Sequence, residues 1–388
     1  MVHSISDIAA LAAGAAAVCS IAYYLLCLYS AARFLGERKA VGEGARPTQP
    51  VSILKPLRGT DPEMYESFRS HCLQDYPEYE IIFGVSDPAD PAIDLVERLK
   101  QEFPERAIQL MICSQNLGSN TKVSNLAQML LHAKYENILV NDSDIRVEPD
   151  YLRRVVTPLQ DNQTGLVTCL YRGIASATLG SQLESIGIST DFAGGVLTAR
   201  QLEGGIRFGL GSTLAFRRLD LQSIGGFEAI LDYLADDYEI GKRIAQRGLK
   251  VKLSEVVVET FLPAYTLRQF LDHQLRWGRA VRDSRRGGYF GLALTFGLPW
   301  AVLALVLGRG APWAWALLVA TTSLRVAVAL VVGWSVLRDR QIFSLLALLP
   351  LRDFAALLVW FASLFGHKVV WRGDVFRLED GKLVRIGA

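Results

Sequence analysis

The chain of 388 residues has little cysteine and almost no net charge. Its five cysteines, Cys19, Cys27, Cys72, Cys113 and Cys169, share no paired spacing. That excludes a zinc or redox motif and a disulfide framework, and it fits a reducing compartment. Lys and Arg number 41 against 39 Asp and Glu, a formal charge of +2. Such a balance offers no broad basic field for nucleic acid. Charged residues make up only 21% and hydrophobic ones 51%, which excludes a disordered chain, a collagen and a coiled coil. No Lys or Arg precedes the first apolar run, so the start lacks the basic region of a cleavable signal peptide. No Ser-His or Cys-His arrangement marks a covalent nucleophile.

What the chain does have is apolar sequence gathered at its two ends. Ile8 to Tyr29 is almost purely Ala, Leu, Ile, Tyr and Cys. At 1.5 Å per residue it can cross a hydrocarbon core of ~30 Å. Arg33, Arg38, Lys39 and Arg46 follow it, which predicts an uncleaved anchor with the next domain in the cytoplasm. Tyr289 to Leu307 and Ala311 to Leu337 read as two further spans, with basic residues before the first and after the second. Arg325 falls inside the latter and should face protein or water. Ile342 to Phe365 is apolar but carries Pro350, Arg352 and Asp353, so a re-entrant or interfacial hairpin is expected there. The tail, Val369 to Ile386, reads as strand, turn and strand around Glu379-Asp380-Gly381.

The middle alternates short β-rich runs with helix-length segments, which predicts βαβ units and a mostly parallel, Rossmann-like sheet. Expected boundaries are an anchor and linker over 1–47, a soluble α/β domain over 48–270, an interfacial segment over 271–288, apolar helices over 289–367 and a cytosolic tail over 368–388. In such sheets ligands bind beyond the carboxyl ends of the strands. Two apolar runs end there in aspartate, at Asp87 and at Asp142-Ser143-Asp144. Paired carboxylates at a strand end suit a hard divalent cation that shares its shell with substrate phosphates. Asp236-Asp237 stands at the start of a helical run, either as an acidic cap or as a general base whose proton affinity its neighbour raises. Spacing alone does not choose between the two. His273-Gln274-Leu275-Arg276-Trp277 leads into a basic run, which suits a headgroup helix or a lid with a diphosphate-binding arginine.

The ordered set Asp87, Asp142-Ser143-Asp144, Asp236-Asp237 and His273 to Trp277 resembles the processive and lipid-acting inverting glycosyltransferases of the GT-A fold. Among them it is most similar to the ceramide glucosyltransferase family, glycosyltransferase family 21. Val51 to Gly59, Gly84 to Pro91 and Asn120 to Leu126 resemble that family's opening blocks. Gly165 to Gly173 resembles its bacterial branch, which includes the hopanoid-biosynthesis glycosyltransferase. His273 stands where the family has Gln or Arg.

The resemblance implies a UDP-sugar donor, a Mg²⁺ or Mn²⁺ ion and a membrane-lipid acceptor, ceramide or a hopanoid such as bacteriohopanetetrol. No obligate protein partner is evident. It implies that Asp87 and Asp142 hold the nucleotide, that Asp144 holds the metal, and that Asp237 is the base with Asp236 beside it. Lys55 and Lys122 would lie near the nucleotide, Gly211 and Ser212 would line the cleft, and Arg276 would stabilise the departing diphosphate. It also implies a multi-pass protein of the bacterial inner membrane. A polytopic transporter, an inactive lipid-binding relative, a polyprenyl-phosphate sugar synthase and a polysaccharide synthase are the competing readings. The long βαβ stretch counts against a transporter, whose site would lie between spans.

Overall fold

The structure is a computed structural model that describes residues 5–40, 49–371 and 374–386. Arg46, one of the basic residues after the first apolar run, lies outside them. The chain divides into two units. One gathers Met1–Ala40, Ala175–Gln201 and Ala264–Asp374, and the other gathers Val41–Ile174, Leu202–Pro263 and Val375–Ala388.

The second unit is built on one eight-stranded sheet. Its strands are β1 (Val51–Leu57), β2 (Tyr79–Val85), β3 (Ala107–Ile112), β4 (Asn137–Val140), β5 (Ile145–Arg146), β6 (Thr164–Ile174), β7 (Leu214–Arg217) and β8 (Lys250–Phe261). Their spatial order is β3-β2-β1-β4-β7-β6-β8-β5. The first four are parallel neighbours, as are β6 and β8, while β7 runs antiparallel to both of its neighbours. Every residue of β1, β2 and β4 is buried, as expected of apolar runs covered on both faces. The crossover helix Ala92–Glu102 buries Ala92, Val96 and Leu99, one stripe of a 3.6-residue repeat. The next, Thr121–Leu130, starts where the Asn120 side chain accepts from the Val123 N–H. It presses onto β2, where a Cβ on Gly84 would lie 2.4 Å from the Met129 sulfur.

Chain order reverses at β1. The strands that precede β4 in the chain lie on one side of it and β4 itself on the other. The crevice outside the carboxyl ends of β1 and β4 is therefore the place where such sheets take ligands. Asp142 and Asp144 follow β4 directly.

The first unit is helical. Ile5–Lys39, Pro312–Val336 and Ile342–Ser363 are long and apolar enough to cross a membrane. The segment expected as a span from Tyr289 to Leu307 lies in two helical pieces, Arg286–Thr295 and Gly297–Leu307, bent by 52°. The hairpin expected over 342–365 is not formed. The chain runs helically from Ile342 to Ser363, with a short 3-10 turn at Leu346–Leu348.

Two features account for that correction. Pro350 sits in the first turn of the helix Leu349–Ser363, where its missing N–H costs nothing. The two charges beside it lie against opposite charges within the protein. Arg325 Nε lies 3.0 Å from both Asp353 oxygens, Arg325 Nη2 reaches Asp191 Oδ1 at 2.6 Å, and Arg352 Nε lies 3.3 Å from Asp191 Oδ2. Ionisable groups at this depth are tolerated when they pair with one another.

Candidate active site

The turn after β4 is held from below. The Asn141 amide donates to the Ser212 carbonyl at 2.6 Å and to the Tyr151 hydroxyl at 2.9 Å, and its oxygen faces His71 Nε2 at 3.2 Å. Lys55 on β1 is fully buried and donates to the Asp142 carbonyl at 3.0 Å. Ser143 donates to Asp61 Oδ2 at 2.5 Å. The Thr260 hydroxyl, near the end of β8, donates to Asp144 Oδ2. The backbone has little freedom left, so the two carboxylates take fixed directions.

Asp236 and Asp237 open the helix Asp236–Gln246. Gly241 on that helix lets it close upon the Phe208-Gly209 backbone, since a Cβ there would fall 2.2 Å from Gly209 N. Gly209 N–H donates to the Asp237 carbonyl at 3.2 Å. Lys122 joins the two acidic groups: its Nζ lies 2.8 Å from Asp142 Oδ1 and 3.1 Å from Asp236 Oδ2. A Cβ on Gly211 would lie 3.1 Å from Asp142 Oδ2 and 3.3 Å from Asp237 Oδ2. Both carboxylates thus converge on one point, and glycine leaves that point open.

Electrostatics follow from this crowding. Burial pushes Asp237 up to about 6, helped by the like charge of Asp236 and opposed by Lys122. Burial and the neighbouring Asp142 raise Asp144 to about 6. Burial also brings Lys55 down to about 7, against the pull of Asp144 and Asp142. Burial works against the Lys122 ammonium too, but Asp142, Asp236 and Asp237 outweigh it and hold its proton affinity above that of an ordinary lysine.

Asp142, Asp236, Asp237, Lys122 and Gly211 therefore form one cluster, and Asp144 and Lys55 join it through the β4 turn. Ser212 adjoins it, but its hydroxyl donates to the Cys169 carbonyl at 2.9 Å and is engaged within the fold. Asp87 stands apart. It is exposed, it caps its own turn through Ala89 N–H at 2.8 Å, and β1 separates its strand from β4, about 10 Å across the sheet.

The remaining three site residues lie on the helix Leu267–Ser284 of the helical unit, which starts with a Thr266/Gln269 capping box. His273 Nδ1 lies 3.1 Å from Glu184 Oε1, and Gln274 donates to Glu184 Oε2 at 2.8 Å. The His273 ring stacks on Tyr265 at 5.6 Å and meets Trp277 at 5.0 Å, and Trp277 packs on Phe192 at 6.2 Å. Arg276 is one helical turn on from His273.

Four supporting residues escaped the sequence reading: Asn141, Thr260, Glu184 and Asp90, whose carboxylate accepts from Gly59 and Ala92 N–H. Glu184 alone carried a signal, as a lone acid in an apolar helical run.

A mostly parallel sheet with carboxylates gathered beyond β4 has the arrangement of the GT-A fold. The chain belongs to glycosyl transferase family 21, whose model matches residues 12–384. It is 24% identical over 363 residues to ceramide glucosyltransferase 1 of Caenorhabditis elegans, covering 87% of this chain and 74% of that one. Over 124 residues it is 32% identical to the ceramide glucosyltransferase of Candida albicans, covering 29% of this chain and 23% of that one. Among solved structures it resembles a mannosyltransferase from Pyrobaculum calidifontis in complex with GDP-mannose and Mn²⁺. The TM-score is 0.54 at 20% identity, over 92% of this chain and 99% of that one. That likeness concerns the fold.

Proposed function

We propose that the protein is a membrane-embedded inverting glycosyltransferase. It moves a hexose or N-acetylhexosamine from a UDP-sugar to a hydroxyl of a membrane lipid, ceramide or a hopanoid. The observation that carries this reading is the convergence of Asp142 and Asp237 on the open space beside Gly211, with Lys122 tying Asp142 to Asp236. Family membership and the ceramide glucosyltransferase relatives support the lipid acceptor.

The residues fit a metal-assisted version of this chemistry. Asp144 is a hard oxygen donor whose proton affinity is raised by burial and by the neighbouring Asp142, a setting that a divalent cation would relieve. Among the described residues no group of three or more His, Cys, Asp or Glu side chains could hold an ion unaided. Phosphate oxygens of the donor would complete the shell. Such an ion supplies positive charge to the departing diphosphate.

The protein's own part is proton transfer and orientation. The lipid hydroxyl attacks the anomeric carbon on the face opposite the diphosphate, and Asp237 takes its proton. A carboxylate with a value of about 6 is ionised at neutral pH and is a stronger base than an ordinary aspartate. Asp236, 3.1 Å from Lys122, adds like charge beside Asp237 and raises its proton affinity. One displacement inverts the configuration and needs no enzyme nucleophile. Asp142 and Asp87 hold the nucleotide, Arg276 balances diphosphate charge, and Trp277 packs on sugar or acceptor, in keeping with the family resemblance. The catalytic unit then faces the cytoplasm of a bacterial inner membrane, where UDP-sugars are made.

The test is transfer by detergent-solubilised protein, with UDP-glucose or UDP-N-acetylglucosamine and lipid alcohols, read by mass spectrometry of the lipid. Asp237→Asn should abolish transfer while donor binding survives. Normal turnover by that variant would remove Asp237 from its role.

A further inference from the structure

The end of the chain returns to the acid pair. β9 (Lys368–Trp371) leads to β10 (Asp374–Glu379) and β11 (Lys382–Arg385), the last two paired antiparallel across Asp380-Gly381. Both turn residues take positive φ, 48° and 81°, as a two-residue hairpin demands. The hairpin tip is bound. Leu234 N–H donates to the Gly381 carbonyl at 3.0 Å, and Leu383 N–H donates to the Asp232 carbonyl at 2.6 Å. Tyr233 and Lys382 form an antiparallel bridge between these two bonds. The Lys382 ammonium lies 5.4 Å from the centre of the Tyr233 ring, and the Arg243 guanidinium lies 5.4 Å from the same centre. Arg243 belongs to the helix that begins with Asp236 and Asp237.

The segment 231–234 is held along its other side as well. Asn120 N–H donates to the Leu231 carbonyl at 2.8 Å, the Asn120 amide to the Tyr233 carbonyl at 2.7 Å, and Ser119 N–H to Asp232 Oδ1 at 2.8 Å. Asn120 caps the helix that carries Lys122, the cation shared by Asp142 and Asp236. Residues 231–234 thus lie between the Lys122 helix cap and the C-terminal hairpin, and they run straight into the acid pair.

We propose that residues 380–383 are a positioning element for Asp236 and Asp237, with Lys382 as its side-chain contact on Tyr233. The hairpin fixes 232–234, and through it the first turn of the acid helix, at the separation from Asp142 that proton transfer needs. The tail buries its own Phe376, Leu378 and Leu383, and none of them belongs to the buried cluster that runs from Val51 to Val258. The proposal rests on Asp237 as the base.

The experiment compares the full-length protein with Lys382→Met, Lys382→Arg and a chain lacking 375–388, all in detergent. Deletion should lower kcat about 100-fold, the cost of roughly 1 Å of misplacement, with donor KM and donor binding held. Lys382→Met should lower kcat about threefold, as for loss of an exposed cation–π contact, and Lys382→Arg should restore it. Hydrogen exchange at the amides of 236–240 reads the same contact without any activity, and it should quicken in the deletion and in Lys382→Met. Unchanged exchange would overturn the proposal even if no transfer substrate were found. Unchanged kcat after deletion would do so too, as would a loss of kcat that comes only with loss of donor binding and of the thermal transition. Quickened exchange beside an inactive wild-type protein would instead uphold the positioning and reject the assignment of the reaction.

Discussion

Replacing Lys122 by Met leaves the acidic cluster without the cation that bridges it. Lys122 Nζ lies 2.8 Å from Asp142 and 3.1 Å from Asp236, with its side chain only 18% exposed. At an effective dielectric constant of ~20, one unit-charge pair at that separation is worth about 5 kcal/mol before the cost of burying the ammonium. The net effect is smaller, and removing one partner of a buried pair costs on the order of 3 kcal/mol. The more diagnostic consequence is on Asp237. Lys122 lowers its proton affinity, while burial and Asp236 raise it to about 6. Without the cation that value rises further. A base works only when ionised, so activity is lost as pH falls through its value. In Lys122→Met the acid limb of kcat/KM should therefore move to higher pH, and activity should partly return on the alkaline side. Lys122→Arg should keep the limb in place. The assay is a pH profile at saturating divalent cation, between pH 5 and 9. An acid limb unmoved in a folded Lys122→Met protein would refute the electrostatic coupling on which the assignment of the base depends.

Other consequences are as specific. Gly211→Ala puts a methyl group 3.1 and 3.3 Å from two carboxylate oxygens, so kcat should fall about tenfold. Gly211 has an ordinary φ, so thermal unfolding should barely change, and a large drop in Tm would assign the loss to folding. Asp144→Ala should remove the metal-dependent activity, and activity in the wild type that ignores chelator would contradict the metal role. Docking of the tail on 232–234 puts tail and catalytic unit on one side of any membrane, so an even number of crossings lies between them. The bent segment 286–307 should then re-enter while 312–336 and 342–363 cross. A membrane-impermeant thiol reagent should reach Glu379→Cys and Glu97→Cys from the same side, and opposite labelling would exclude that topology.

Much of the catalytic unit could be read from local pattern. Apolar-rich runs marked β1, β2 and β4, and the aspartates after β2 and β4 stand at the carboxyl ends of the strands, where such sheets take ligands. The acid pair lay at a helix start, where spacing could not separate a cap from a base. In the structure Lys122 pairs with both Asp142 and Asp236, and Asp142 and Asp237 both approach Gly211 across almost a hundred residues. No local periodicity encodes such a meeting. The same limit applies to the hairpin expected over 342–365: Arg325 and Asp191, which lie against Asp353 and Arg352, are distant in the sequence. It also explains why Ala175–Gln201, with the buried Glu184 beneath His273, joins the apolar helices rather than the sheet. The tail was legible as a hairpin, but its contact with Tyr233 was not, since some 150 residues intervene.

The proposed reaction is one in-line displacement assisted by Asp237. Proton NMR of the glycolipid made from an α-linked UDP-sugar reads its stereochemistry, because the coupling at the anomeric proton reports configuration. Inversion gives a β-linked product from the wild-type protein and none from Asp237→Asn. An α-linked product, or a β-linked one formed at full rate by Asp237→Asn, would contradict it.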